Sequence, residues 1–291
     1  MHRSLTQFGA IMGYHRPHSV EAALALLADG AAPIAGGTDW YPARGAAPLP
    51  ADVLDLTALD GFGGIRRVND GWEIGALTTW TEILRADLPP AFDGLKAAAR
   101  EVGSVQIQNA GTLGGNLCNA SPAADGVPPL LCLNAEVSWI GPTGPGRAPL
   151  GRFLTGVRQT ALPKGALLRA VHIPDPGAAR GSFLKLGARK YLVISIAMVS
   201  ALVSMKDGRI DTARVAVGAC SAVAQRLPAL EAALTGAAPD EILERMTPAQ
   251  VAPLSPIDDI RGDAGYRRDA AGTLIARAIA RAVPGQGGQH G

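Results

Sequence analysis

Two short glycine-rich stretches are the residues of this chain best suited to hold a ligand. The first is Ala35-Gly36-Gly37-Thr38-Asp39, which follows a short apolar run. Consecutive glycines reach positive φ and let successive backbone N–H groups converge on one concavity, a nest that binds anions. Thr38 adds a hydroxyl donor. The same residues also suit a plain tight turn with a helix cap at Thr38 or Asp39. The second stretch is Gly111-Thr112-Leu113-Gly114-Gly115-Asn116, with Asn119, Ser121 and Asp125 close behind. Amides from two such loops suit a pyrophosphate clasped from two sides. The alternative is that Gly114 and Gly115 allow close backbone packing while Asn116 satisfies a buried turn.

Other chemistries find less support. Neither loop has the G-x-G-x-x-G spacing of a Rossmann fingerprint, and no G-x-x-x-x-G-K-[ST] phosphate loop occurs. A dinucleotide held here belongs to a different architecture. Cys118, Cys132 and Cys220 form no C-x-x-C pair and fall short of the four thiolates that an iron–sulfur cluster normally takes. They read as small apolar fillers in a reducing compartment. His2, His15, His18, His172 and His290 show no metal-ligand spacing. No catalytic acid, base, nucleophile or metal site is expected.

The chain has 291 residues, 47% of them apolar and 18% charged, enough for a large core in two domains. Aromatics are only 4%, so the core must rest on Ala, Leu, Val and Ile. A net charge of +2 without a Lys/Arg block gives no nucleic-acid footprint. The N-terminus lacks the apolar core of a secretory signal, and residues 191–205 are shorter than the ~20 needed to cross a bilayer. The default expectation is a cytoplasmic protein with no membrane span and a flexible tail over 286–291.

The elements that must position the loops read as follows. Residues 10–14 and 53–56 suit strands, with a helix over 20–27 capped by Ser19 and ended by Gly30. Strands at 64–68 and 72–74 flank an Asn-Asp-Gly turn. Helices are expected at 79–84, 91–102 and 127–133, and a strand at 136–140. Residues 103–121 read as a long functional connection without regular structure of its own. Beyond Pro174-Asp175-Pro176-Gly177, strands at 182–186, 193–203 and 213–217 give way to helices at 227–234, 241–246 and 264–282. This predicts a first domain over 1–176, in lobes of about 1–55 and 56–176, and an α+β domain over 177–285.

In order along the chain, residues 35–39 (AGGTD), 74–78 (IGALT), 102–109 (VGSVQIQN), 111–116 (GTLGGN), 119–125 (NASPAAD) and 185–190 (KLGARK) resemble the FAD-binding, medium subunits of molybdenum hydroxylases. Xanthine dehydrogenase and carbon monoxide dehydrogenase contain such subunits. The likeness continues through 167–174, Arg261 and Tyr266-Arg267-Arg268, and so spans nearly the whole chain. It implies an α+β fold in which a two-lobed FAD-binding domain of the vanillyl-alcohol-oxidase type precedes a small C-terminal α+β domain. It also implies that Gly36, Gly37, Thr38 and Asp39 face the FAD pyrophosphate, flanked by Ile34, Ala35 and Trp40. Thr112, Gly114, Gly115 and Asn116 would lie along the cofactor, with Val102 nearby. Asp125 would meet its sugar or adenine half, and Leu168 and Lys185 the flavin.

One departure stands out. Where xanthine dehydrogenases carry acidic residues, this chain has Leu192 and Val193, so the resemblance does not carry NAD over as the acceptor. Tyr191 beside them suits either the isoalloxazine face or the start of a buried strand. The family's organisation implies molybdopterin on a large partner subunit and [2Fe–2S] clusters on a small one, assembled as a dimer of heterotrimers. This chain would pass electrons from the clusters through FAD to a terminal acceptor. The alternative is a stand-alone FAD oxidoreductase of the same superfamily.

Overall fold

A computed structural model describes residues 13–190 and 192–283. The start of the expected first strand, Tyr191 and the tail lie outside the described residues. The described chain opens with β1 (Gly13–His15), α1 (Val20–Ala28), β2 (Ala32–Ile34), α2 (Trp40–Arg44) and β3 (Asp52–Asp55). Ser19 caps α1 by accepting a hydrogen bond from the Ala22 amide, and Gly30 turns the chain away at φ +95°. The three strands form a parallel sheet in the order β1-β3-β2. Its connection after β2 carries the first glycine loop.

Next come β4 (Ile65–Val68) and β5 (Gly71–Gly75), then α3 (Trp80–Arg85), a 3-10 turn (Pro90–Phe92) and α4 (Asp93–Glu101). Thr79 and Glu82 form a reciprocal capping box that starts α3. Residues 103–121 differ from expectation. They fold into α5 (Val105–Ala110) and α6 (Leu113–Asn119), capped by Ser104 and Thr112. The caps offset the weak helix propensity of Gly114 and Gly115.

After α7 (Val127–Cys132) the chain adds β6 (Glu136–Gly141), β7 (Gly144–Pro149), α8 (Leu150–Phe153), β8 (Leu154–Gly156), β9 (Gln159–Thr160) and β10 (Leu167–Pro174). An antiparallel five-stranded sheet runs β4-β5-β10-β6-β7. Strand β7 had no sequence signal, being rich in Gly and Pro; it lies at the sheet edge, where proline's missing N–H is tolerated. Trp80, Phe92, Leu113, Leu117, Leu130 and Phe153 are fully buried in the core against this sheet.

The last part holds β11 (Arg180–Leu186), β12 (Ala197–Lys206), β13 (Arg209–Gly218) and β14 (Gln225–Arg226) as an antiparallel sheet, with α9 (Pro228–Leu234), α10 (Pro248–Val251) and α11 (Ala264–Ala282). Val199, Val215, Ile275 and Ile279 meet in the core between sheet and α11. Two expectations fail here. No helix forms over 241–246, because Glu241 folds back onto the Ala238 amide and Arg245, leaving turns. Strand β12 starts at Ala197 and not at 193: the Ile196 amide still reaches the Leu186 carbonyl of β11, but the Ile196 carbonyl turns to Arg267 and the Ser195 hydroxyl to Asp125. Among the described residues no helix is long and apolar enough to cross a membrane.

Arg267 of α11 is 3% exposed and acts as a hub. Its guanidinium donates to the Ile196 carbonyl at 2.6 Å, the Ala219 carbonyl at 3.2 Å and the Asp259 carboxylate at 2.6 Å. Arg267→Met should lower unfolding free energy by roughly 1.5–3 kcal/mol, the range for a hydrogen bond to a charged group, as read by urea denaturation. His172 on β10 bonds Ser138 at 2.8 Å and faces Glu73 of β5 at 3.5 Å. Burial, helped by Arg147, holds its imidazole below the ordinary range, against the pull of Glu73. Below its unfolded pKa near 6.5 the unfolded chain therefore takes a proton that the folded chain resists. Stability should fall as pH drops from the mid-6s to the depressed folded pKa, and His172→Gln should flatten that slope in melts at several pH values.

Candidate functional site

The two glycine loops meet. A Cβ placed on Gly36 would lie 1.9 Å from the Ala110 carbonyl oxygen and 2.9 Å from the Gly111 Cα. Only glycine permits that approach. Gly37 has φ +70°, and the Tyr41 ring packs against its α-carbon. Trp40 stacks edge-on against Tyr41 and carries the Arg44 guanidinium 4.8 Å from its ring centre. Ile34 is buried at the end of β2, behind the loop.

The loops turn out to be unequal. The amides of Gly36, Gly37, Thr38 and Asp39 donate to no other described residue. In the second loop Leu113 donates to the Thr78 carbonyl, Gly114 to Ala76, Gly115 to the Thr112 hydroxyl and Asn116 to the Thr112 carbonyl. The expectation that amides of both loops are free for an anion therefore needs correction for the second loop, where among the described residues only the Thr112 amide lacks a partner. The second loop is a stitched wall, because its residues start α6 and bond back to residues 76–78. Gly114 is a packing glycine: a Cβ there would sit 2.7 Å from the Ala76 Cβ and carbonyl oxygen.

A cavity of about 540 Å³ opens at the meeting of the loops. Ala35, Gly36 and Thr112 line it, together with Thr79, Asn109 and Ala110, which sequence reasoning did not select. Glu82 also lines it, with its carboxylate held by the Thr79 amide and hydroxyl at 2.7 Å. The Thr79-x-x-Glu82 capping box was the available signal for these residues.

From this cavity a polar trail follows α6. The Asn116 side-chain oxygen is buried without a hydrogen-bond partner among the described residues. It faces Gly126, where a Cβ would be 3.2 Å away. The neighbouring Asp125 is 7% exposed. Its carboxylate accepts from the Lys185 ammonium at 2.7 Å and the Ser195 hydroxyl at 2.8 Å. Burial pushes the Asp125 carboxyl up, while Lys185 and Ser195 pull it back. Lys185 lines a second cavity of about 310 Å³, together with Glu101, Leu186, Gly187, Arg189 and Val193. Lys185 and Asp125, two separate candidates in the sequence, are thus one buried pair. Val102, half-buried, ends α4 next to Glu101, whose carbonyl lies 3.4 Å from the Lys185 ammonium. Leu168 is buried in β10 opposite Trp139.

The cysteines divide differently from expectation. Cys132 and Cys220 are buried in the two main cores, but Cys118 on α6 is exposed.

The residues present fit an elongated dianionic nucleotide. Free amides and the Gly36 cradle suit the diphosphate, and the unpartnered Asn116 oxygen suits a donor on the ligand. Known proteins agree. Residues 6–176 match the family described as FAD binding domain in molybdopterin dehydrogenase. Residues 182–282 match the CO dehydrogenase flavoprotein C-terminal domain. The chain is 31% identical over 277 residues to the carbon monoxide dehydrogenase medium chain of Afipia carboxidovorans, covering 92% of this chain and 96% of that one. It is 28% identical over 284 residues to a putative xanthine dehydrogenase FAD-binding subunit of Escherichia coli, covering 95% and 97%. A solved structure of carbon monoxide dehydrogenase from Hydrogenophaga pseudoflava superimposes with a TM-score of 0.85 at 27% identity, covering 93% of this chain and 96% of that one. The chain therefore belongs to the FAD-binding medium subunits of the molybdenum hydroxylases, oxidoreductase flavoproteins of α+β fold in which an FAD-binding domain precedes a C-terminal domain.

Proposed function

We propose that this chain is the electron-relay subunit of a molybdenum hydroxylase, taking electrons from [2Fe–2S] clusters on a partner and passing them to a terminal acceptor. The observation that carries the reading is the row of free amides at Gly36, Gly37, Thr38 and Asp39, beside a cavity walled by the second glycine loop. These amides hold the diphosphate. Thr112 and Asn116 would line the nucleotide, and Lys185 at the second cavity would stand at its ring end. Bound FAD supplies the redox chemistry, accepting single electrons and releasing pairs, while the protein supplies position and field.

The chain's three cysteines are too few for a cluster and sit apart, on α6, on α7 and after β13, so the clusters belong to another chain. Relatives named as medium chains support a large and a small partner; in this reading the large one binds molybdopterin, the small one holds the clusters, and the complex is a dimer of heterotrimers. Free thiols suit a reducing, cytoplasmic setting. The boundary between the domains is placed at Gly177, between the two matched segments and at φ +59°.

Gly36→Val should strip FAD from the purified chain, lowering the flavin-to-protein ratio at least tenfold while far-UV circular dichroism is unchanged. Gly272→Ala on α11, where an added Cβ meets nothing within 4 Å, should stay yellow. A fully loaded Gly36→Val protein would refute the placement of the diphosphate.

A further inference from the structure

Among the described residues, Asp125–Lys185 is the ion pair with both side chains less than a tenth exposed, at 8% and 6%. Each carboxylate oxygen already has a protein partner, Oδ2 the Lys185 ammonium and Oδ1 the Ser195 hydroxyl. Both oxygens of the buried Asp125 carboxylate thus hold elements of the protein in place, a positioning task independent of any ligand contact. The consequence for Lys185 is equally direct. An ammonium with a carboxylate 2.7 Å away presents a dipole to its surroundings, and a dipole's potential falls off faster than that of a lone charge. Lys185 also lines the second cavity, where it acts as one half of a balanced pair and not as a lone cation.

We infer that Asp125 is a positioning residue for the flavin: it fixes the Lys185 ammonium beside the second cavity, cancels its charge there, and through Ser195 ties down residues 192–196, of which Val193 lines the cavity. The inference rests on the reading that FAD lies along the trail from the first cavity to the second. Ser195 and Ile196 are pinned next to each other, one by Asp125 and the other by Arg267, so residues 192–196 have two independent anchors. Lys185 itself stands on β11, so the pair ties that strand to the same segment. Glu101, Arg189 and Lys190 are the other charged groups that line the cavity; Arg189 donates to the Leu192 carbonyl at 2.5 Å, which orients its guanidinium and leaves its charge in place, a background common to wild type and every variant of the pair. Reduced flavin carries more negative charge than oxidised flavin, so the net charge of this corner sets how readily the ring is reduced.

The test is the midpoint potential of FAD in the full-length chain, read spectrophotometrically against reference dyes, after its FAD content has been measured. Asp125→Asn should retain FAD and shift the potential to more positive values, since Lys185 is then uncompensated. Lys185→Met should shift it to more negative values, and the double variant should return close to wild type. Should Asp125→Asn fail to fold with a lone buried ammonium, Lys185→Met against the double variant isolates the same carboxylate charge, and the double variant must lie higher. Unmoved potentials would overturn the inference. So would a folded, flavin-free Asp125→Asn, because Asp125 would then be a direct ligand. A wild-type chain that binds no FAD would instead defeat the proposed function itself.

Discussion

The site depends on one close approach, that of the Gly36 α-carbon to the Ala110 carbonyl, which leaves no room for a side chain. That contact joins the parallel β1-β3-β2 sheet to the helical segment carrying α5 and α6, and the cavity opens where they touch. Each side is fixed by its own backbone. Strand β2 delivers the first loop by pairing with β3, and the second loop is stitched down by bonds from Trp80 to Gly111, from Leu113 to Thr78 and from Gly114 to Ala76. Rigidity on both sides matters because a row of amides binds an anion well only if its geometry is set beforehand. The glycines thus divide the work. Gly36 and Gly37 leave amides bare, whereas Gly114 lets two backbones touch.

A second constraint is electrostatic. Burying Asp125 and Lys185 costs desolvation that their attraction offsets only with good geometry and further hydrogen bonds, which Ser195 and the Glu101 carbonyl supply. Losing one member of such a pair typically costs ~3–5 kcal/mol, so both residues are structural whatever they do for a ligand. The same corner binds the parts of the chain together. Asp125 lies ahead of α7, Lys185 on β11, and Arg267 on α11 reaches the carbonyl next to Ser195. A side chain placed here for a ligand is therefore also a tie between the sheets.

What the sequence disclosed was local. Helix α11 occupies 264–282 as expected, and α1 begins after Ser19, because caps and apolar spacing are written in neighbouring residues. The glycine loops were visible for the same reason. Three kinds of feature were hidden. Segment 103–121 holds two helices only because Ser104 and Thr112 cap them, against the weak propensity of its glycines. Strand β7 pairs at an edge despite its Gly and Pro content. The pairing of Asp125 with Lys185 spans sixty residues of chain, a distance over which spacing carries no signal. The unequal state of the loop amides was hidden too, since it depends on which carbonyls lie within reach.

The lining of the first cavity says what kind of site it is. Of its described residues only Glu82 is ionisable, and both a backbone amide and a hydroxyl hold that carboxylate in a helix cap. A cavity meant to move protons would present a titratable group free to approach a reacting atom. Here the available groups are bare amides, the Thr112 hydroxyl and the Asn109 side chain, and Asn109 already meets Thr81. Such a lining grips and orients. The chemistry must come from what is gripped, which is how a flavin-carrying chain differs from one that transforms its own substrate.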